Sequence, residues 1–388
     1  MNELRVLYSF PLRMGLSGIG MTSWNQVNEL VINGVKVFLN VGTLEKDIAN
    51  LSGLVETLRL FGFKIPIKPI GERSAARLHD RITANLLLSG KIKVDVVHCW
   101  PLGSEQTLRA AKKLGIKTFL ERPNTHTRYA FEVTGNEYKK LGLYHSKKHT
   151  HFYNKKVLKR EEMEYSLADY ILCPSEFVAN SFRLYGFPES VLALHHYGYD
   201  PEKFYPDKKN YQNQKGLKLI FVGRCEPRKG LHYALKAWSL SKASETGTFY
   251  ICGEFVDGYR ELLSETLMRK SVKIVGFTDN VASLLQTCDA LILPTIEEGS
   301  ALVTYEAMAC GCTILVSDAS GAHAEHMKNC LIHKAGNVDE LVKHIDLIHQ
   351  DRKFLENLKM NSMNNSKNLS WSKSALLLSN IYHSSLDL

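Results

Sequence analysis

Three carboxylates and two cations frame the chemistry this chain could perform. In the stretch PTIEEGSALVTYEAMACG, Pro294 to Gly311, an apolar strand ends in Glu297 and Glu298, small residues follow, and Glu306 returns within a helical pattern. Earlier, FVGRCEPRKGL (221 to 231) reads as a strand, a glycine turn and a helix, with Arg224 and Lys229 on the turn. A guanidinium offers forked hydrogen bonds and an ammonium a point charge, so the pair suits a diphosphate. A helix starting near Ser300 adds unpaired backbone N–H groups over Ser300, Ala301, Leu302 and Val303, which favour phosphate without a metal, and Gly299 keeps the approach open. Glu298 on the loop can accept from sugar hydroxyls, and Glu306 from the two vicinal hydroxyls of a ribose, because both carboxylate oxygens accept. Separately these are a solvated turn and ordinary helix glutamates; together they describe a sugar-nucleotide site. Glu297 receives no role.

The elements that must position them alternate. Short β-branched runs at 5–10, 35–41, 94–100, 116–121, 169–174 and 191–196 are separated by amphipathic segments, the pattern of βα units on a parallel sheet. A polar, proline- and glycine-bearing stretch interrupts the pattern at 197–216, and it restarts at 217–223, 249–253, 272–276, 289–294 and 312–318. The expected domains are 1–197, a linker 198–216, 217–365, and a last segment 366–388. The expected fold class is α/β, with two doubly wound halves whose ligands gather at the carboxyl ends of the strands, in a cleft.

Composition sets limits. The 388 residues are 44% hydrophobic and 23% charged, a soluble globular balance with room for two cores. No apolar run reaches the roughly 18 residues of a membrane span, and the start lacks a signal-peptide pattern, so a cytoplasmic location is expected. The eight cysteines are scattered without paired CxxC or metal spacing, which predicts buried free thiols and neither metal nor cofactor. Of the net charge of +9, all but one unit sits in the first half, where residues 1–200 carry 27 basic against 19 acidic side chains. Within it, Tyr138 to Arg160 holds eight Lys or Arg and no acid, a run suited to an anionic membrane surface, such as the inner face, or an anionic substrate. No nucleic-acid partner is expected.

Glu298-x7-Glu306 with its EAMACG tail, together with VGRCEPRKG, resembles the donor site of the retaining GT-B glycosyltransferases, specifically family 4. The resemblance extends along the chain through SGIGMTSWNQVNELVINGVKV, DVVHCW, ADYILCPSEF, YGYDPEKFYP, DASGAHAEHM and the segment from Trp371, which resembles the family's helix crossing back to the first domain. It implies an N-terminal acceptor-binding and a C-terminal donor-binding Rossmann-like domain, with Arg224 and Lys229 on the diphosphate, Glu306 on the ribose and Glu298 on the transferred sugar. It also implies that Gly18 and Gly20 let a loop approach the diphosphate, and that His126, in ERPNTHTRY, stands near the reacting carbon. Where the family commonly has His-x-His, this chain has His98 and Trp100, so Trp100 is expected to offer an acceptor a stacking face.

The resemblance further implies transfer with retention from a UDP- or GDP-linked sugar to a glycan or lipid-linked hydroxyl, in polysaccharide or glycoconjugate synthesis. Catalysis would rest on preorganised positive charge at the departing diphosphate, with Glu298 as nucleophile the less favoured version. A GT-B epimerase, a phosphorylase and a non-catalytic scaffold are the rivals. A dinucleotide-dependent oxidoreductase is disfavoured because MGLSGIGM lacks the G-x-G-x-x-G order.

Overall fold

The computed structural model describes residues 3–60, 62–207 and 216–386. They divide into two compact units: residues up to Pro123 with Asn154–Tyr197 and the chain from Trp371, and Asn124–Tyr153 with Gly198–Ser370. Of the expected linker 198–216, positions 208–215 lie outside the described residues.

The first unit is built on a parallel sheet of β1 (Arg5–Met14), β2 (Lys36–Leu44), β3 (Gly53–Glu56), β4 (Val96–Cys99), β5 (Lys117–Glu121), β6 (Tyr170–Cys173) and β7 (Leu192–Leu194), in the spatial order β3-β2-β1-β4-β5-β6-β7. The reversal of order beside β1 is the mark of a doubly wound sheet. Its strands are apolar on both faces because helices cover both. Val6, Tyr8, Val96 and Phe119 pack into one core with Trp24, Val27 and Leu30 of the helix Ile19–Ile32, while Leu7, Val97, Leu120 and Ile171 pack into a second with Leu108 and Val178. The last helix, Trp371–Leu386, adds Ala375, Leu378 and Tyr382 to the first of these cores.

The second unit repeats the plan with β8 (Lys218–Val222), β9 (Thr248–Cys252), β10 (Val272–Ile274), β11 (Ala290–Leu293), β12 (Thr313–Ser317) and β13 (Cys330–His333), ordered β10-β9-β8-β11-β12-β13 and parallel throughout. β11 and β12 are fully buried, which explains the runs Ala290–Leu293 and Ile314–Val316, made only of Ala, Leu, Ile and Val.

In the two parallel sheets, the strands that the sequence pattern leaves unmarked are β3 and β13, each of which closes an edge of its sheet. A larger difference concerns the boundary. The expected domain 1–197 is not continuous, since Asn124–Tyr153 clusters with the second unit. Its buried polar groups explain this: Glu137 accepts from Tyr233, whose hydroxyl lies 2.6 Å away, and stands 2.9 Å from His232. The last segment likewise joins the first unit from Trp371 and not from residue 366. All eight cysteines are free and buried.

Candidate active site

In the second unit two loops leave neighbouring strands at their carboxyl ends. β8 leads through Gly223 to the turn Arg224–Gly230, and β11 leads through Pro294 to Glu297, Glu298 and Gly299. Gly230 makes their close approach workable. It has φ 73°, and a Cβ there would meet the Pro294 carbonyl oxygen at 2.0 Å, so no other residue fits without moving a backbone.

Between the loops lies a side chain the sequence reading missed. Arg228 is buried; its Nε donates to Glu226 at 3.0 Å, and its Nη1 donates to the Glu297 backbone oxygen at 2.8 Å, to Glu297 Oε2 at 3.3 Å and to Glu298 Oε2 at 3.2 Å. Burial disfavours its charge, but Glu298, Glu226 and Glu297 outweigh that and keep the guanidinium firmly protonated. Lys229 joins by donating to Glu298 Oε2. Burial would likewise push Glu298 up, yet Lys229 and Arg228 hold it below the ordinary carboxylate value.

Glu297 turns out to be a buried pin. Its Oε1 accepts from the hydroxyl of Thr125 at 2.7 Å and its Oε2 lies 3.4 Å from His151. Burial raises its pKa, but His151 and Arg228 bring it below normal. Glu226 is similarly held down against burial, chiefly by His149 at 2.9 Å and by Arg228. The run Tyr138 to Arg160, expected to act as one basic surface, is therefore divided. Tyr138, His149 and His151 belong to the second unit, whereas Asn154 onward belongs to the first.

Thr125 ties the loop of His126 to the same acid. His126 is buried and forms the N-cap of the helix Thr127–Lys140, its Nδ1 accepting from the Arg128 N–H at 3.2 Å. That bond sets the ring's orientation and puts the proton of the neutral imidazole on Nε2.

The remaining expected residues are placed as follows. Arg224 is exposed, its Nε 3.9 Å from Glu226. The helix of the opening motif runs from Leu302 to Ala309, two residues later than expected, with no side-chain cap, so the N–H groups of Leu302 and Val303 have no helical acceptor. The Ala301 N–H is used by the Ser320 carbonyl oxygen, and the Ser300 hydroxyl is turned inward to Tyr305 and the Gly321 carbonyl oxygen. Glu306, one turn along, has no hydrogen-bond partner for its carboxyl among the described residues; burial raises its pKa to about 7, opposed by Lys203. Beside this cluster the Cys225 N–H donates to the Glu254 carbonyl oxygen at 2.8 Å, and a cavity of about 380 Å³ opens at the ends of β9 and β10, lined by Gly253 to Gly258 and Gly276.

Four expected residues lie in the first unit. Gly18 is exposed with φ 61° and starts the helix Ile19–Ile32, and Gly20 packs so tightly that a Cβ would lie 2.5 Å from the Arg13 carbonyl oxygen. Trp100 does not offer a face to an acceptor: it is 1% exposed, its Nε1 donates to the Tyr8 hydroxyl at 2.8 Å, and it meets Phe10 edge-on. His98 is equally buried, stacked on Tyr8 and 2.6 Å from the Tyr382 hydroxyl, and burial pushes its pKa down to about 4 against the raising influence of Glu121. Both are core residues because β4 is covered on both faces, a circumstance a single apolar run does not reveal.

Two parallel doubly wound sheets, with this cluster at the strand ends of the second, define the GT-B glycosyltransferase fold. Solved structures share it: sucrose-phosphate synthase from Thermosynechococcus elongatus aligns over 100% of both chains with TM-score 0.71 and 16% identity. HepE of Anabaena, in complex with UDP-glucose, aligns over 98% of this chain and 100% of its own with TM-score 0.67 and 14% identity. Residues 16–203 match the model of glycosyltransferase family 4 and residues 205–365 that of glycosyl transferases group 1, and the chain belongs to family 4. An uncharacterized glycosyltransferase of Methanocaldococcus jannaschii is 24% identical over 58% of this chain and 63% of its own length. An N,N'-diacetylbacillosaminyl-diphospho-undecaprenol alpha-1,3-N-acetylgalactosaminyltransferase of Campylobacter jejuni is 26% identical over 52% and 56%. The chain thus spans less than two thirds of the length of either relative.

Proposed function

We propose that this chain is a retaining, metal-independent glycosyltransferase that moves a sugar from a nucleotide diphosphate to a hydroxyl of a glycan or glycolipid, in the building of a polysaccharide or glycoconjugate. The observation that carries the reading is the joining of the Arg224–Gly230 turn, the Glu297–Glu298 loop and the His126 loop through Arg228 and Glu297. HepE bound to UDP-glucose supports the donor class.

In this reading the diphosphate lies against Arg224, Lys229 and the N–H groups of Leu302 and Val303. Glu306 accepts from the ribose hydroxyls, and the nucleoside extends toward the cavity at β9 and β10. Arg228 and Lys229 both donate to Oε2 of Glu298, which leaves Oε1 for a hydroxyl of the transferred sugar. The bond from the anomeric carbon to the diphosphate breaks, and the preorganised cations take up the charge. The acceptor oxygen bonds to that carbon on the same face, and its proton passes to the departing phosphate oxygen. The Nε2–H of His126 orients the reacting groups.

Nucleotide sugars screened for thermal stabilisation, followed by NMR of the product's anomeric coupling, test this reading. An α-linked product from an α-linked donor is expected. A β product removes retention, and stabilisation by no nucleotide sugar removes the donor site.

A further inference from the structure

We propose that the first unit carries a second phosphoryl-binding site, formed by Arg73, Arg77, Lys156 and Lys159, which seats a phosphate or diphosphate borne by the acceptor. The role, but not the site, rests on the transferase reading. These residues line a cavity of about 540 Å³, a size suited to a small ligand. Arg73 and Arg77 stand on the helix Glu72–Leu88, and Lys156 and Lys159 on the helix Lys155–Leu167.

The charge in this cavity is unbalanced. Arg160, also in the lining, is neutralised by Asp80 at 2.8 Å and Glu164 at 3.2 Å, and the one lining acid, Glu105, is committed to Arg109 at 3.2 Å. The other four cations have no ion pair among the described residues. Four uncompensated like charges facing one hollow repel each other, and a ligand carrying several phosphoryl oxygens relieves that while satisfying forked and point-charge donors.

The wall is also preorganised. Leu102, in the loop after β4, adopts φ 68°, an uncommon conformation for leucine. Buried Glu164 holds it there by accepting from the N–H groups of Leu102 at 2.7 Å and Ser104 at 3.1 Å. That loop leaves the carboxyl end of β4, the edge at which doubly wound sheets bind ligands. A concave cationic hollow with a fixed wall fits a phosphoryl group better than a flat lipid surface.

The test is a titration of the full chain with inorganic pyrophosphate, by calorimetry, with UDP or GDP at saturation to occupy the donor site. Arg77→Gln with Lys159→Gln should weaken pyrophosphate binding by about tenfold or more. Arg77→Lys with Lys159→Arg should retain it, and nucleotide stabilisation should be unchanged in both, since the substituted side chains are exposed. Equal pyrophosphate affinity in wild type and the Gln variant, or no saturable binding, overturns the proposal. So does a Gln variant that loses only binding to phosphatidylglycerol vesicles, which makes the surface a membrane contact. Failure of every nucleotide to stabilise the protein counts against the donor site and leaves the pyrophosphate result readable.

Discussion

Arg228 Nη1 lies 2.8 Å from the backbone oxygen of Glu297, so a single buried guanidinium joins the turn after β8 to the loop after β11. Removing it would strand Glu226, Glu297 and Glu298 as buried like charges. Arg228→Ala should therefore destabilise the protein by about 3–5 kcal/mol, seen as a lowered Tm in calorimetry. A Tm within a degree of wild type would contradict the clamp.

Arg224, four residues earlier, should behave in the opposite way. It is largely exposed and loosely paired, so Arg224→Ala should leave the Tm unchanged while weakening nucleotide-sugar binding. Lys229→Ala should abolish transfer in a folded protein, because its ammonium would meet the departing diphosphate. Near-normal kcat/KM in either variant would remove the diphosphate role.

Glu306 supplies a pH dependence. Its folded pKa near 7 exceeds that of the unfolded chain, so the protonated form favours folding: stability is fullest below about pH 4.5 and declines as the pH rises toward 7. Glu306→Gln should raise the Tm at pH 8 and leave it unchanged at pH 5. Binding runs the other way, since a carboxylate is the better acceptor for two hydroxyls. Wild-type affinity for a nucleotide sugar should fall between pH 8 and pH 6, and the Gln variant should bind weakly at both; a parallel pH profile in the two proteins would refute it.

His126 combines a cap with a proposed orienting role, and the two separate by substitution. His126→Ala should lose about 1 kcal/mol from the cap as well as turnover, whereas His126→Asn keeps a capping oxygen and should restore the Tm without restoring kcat. Restored kcat in the Asn variant would reduce His126 to a cap.

Trp100→Ala should cost about 3–5 kcal/mol, as for a buried aromatic side chain, with loss of Tm measured by calorimetry. An acceptor KM raised at unchanged Tm would return Trp100 to the acceptor.

What the sequence by itself determined were the features written in local pattern. β-branched runs between amphipathic segments gave two parallel α/β halves, and GRCEPRKG with EEGSALVTYEA placed cations and acids at strand ends, where such folds present ligand groups. Only the tertiary structure decided which of these charges face a ligand and which face each other. Arg228 and Glu297 look like their neighbours Lys229 and Glu298 in one dimension; the approach of two loops over Gly230 buries the first pair, and burial forces charges to find protein partners. Long-range contact likewise moved Asn124–Tyr153, with His126, into the second unit, and put Trp100 in one core with Leu378 and Tyr382 from the far end of the chain. Such pairings join residues 69 positions apart, as Arg228 and Glu297 are, or 172 apart, as Thr125 and Glu297 are, and no local periodicity carries them.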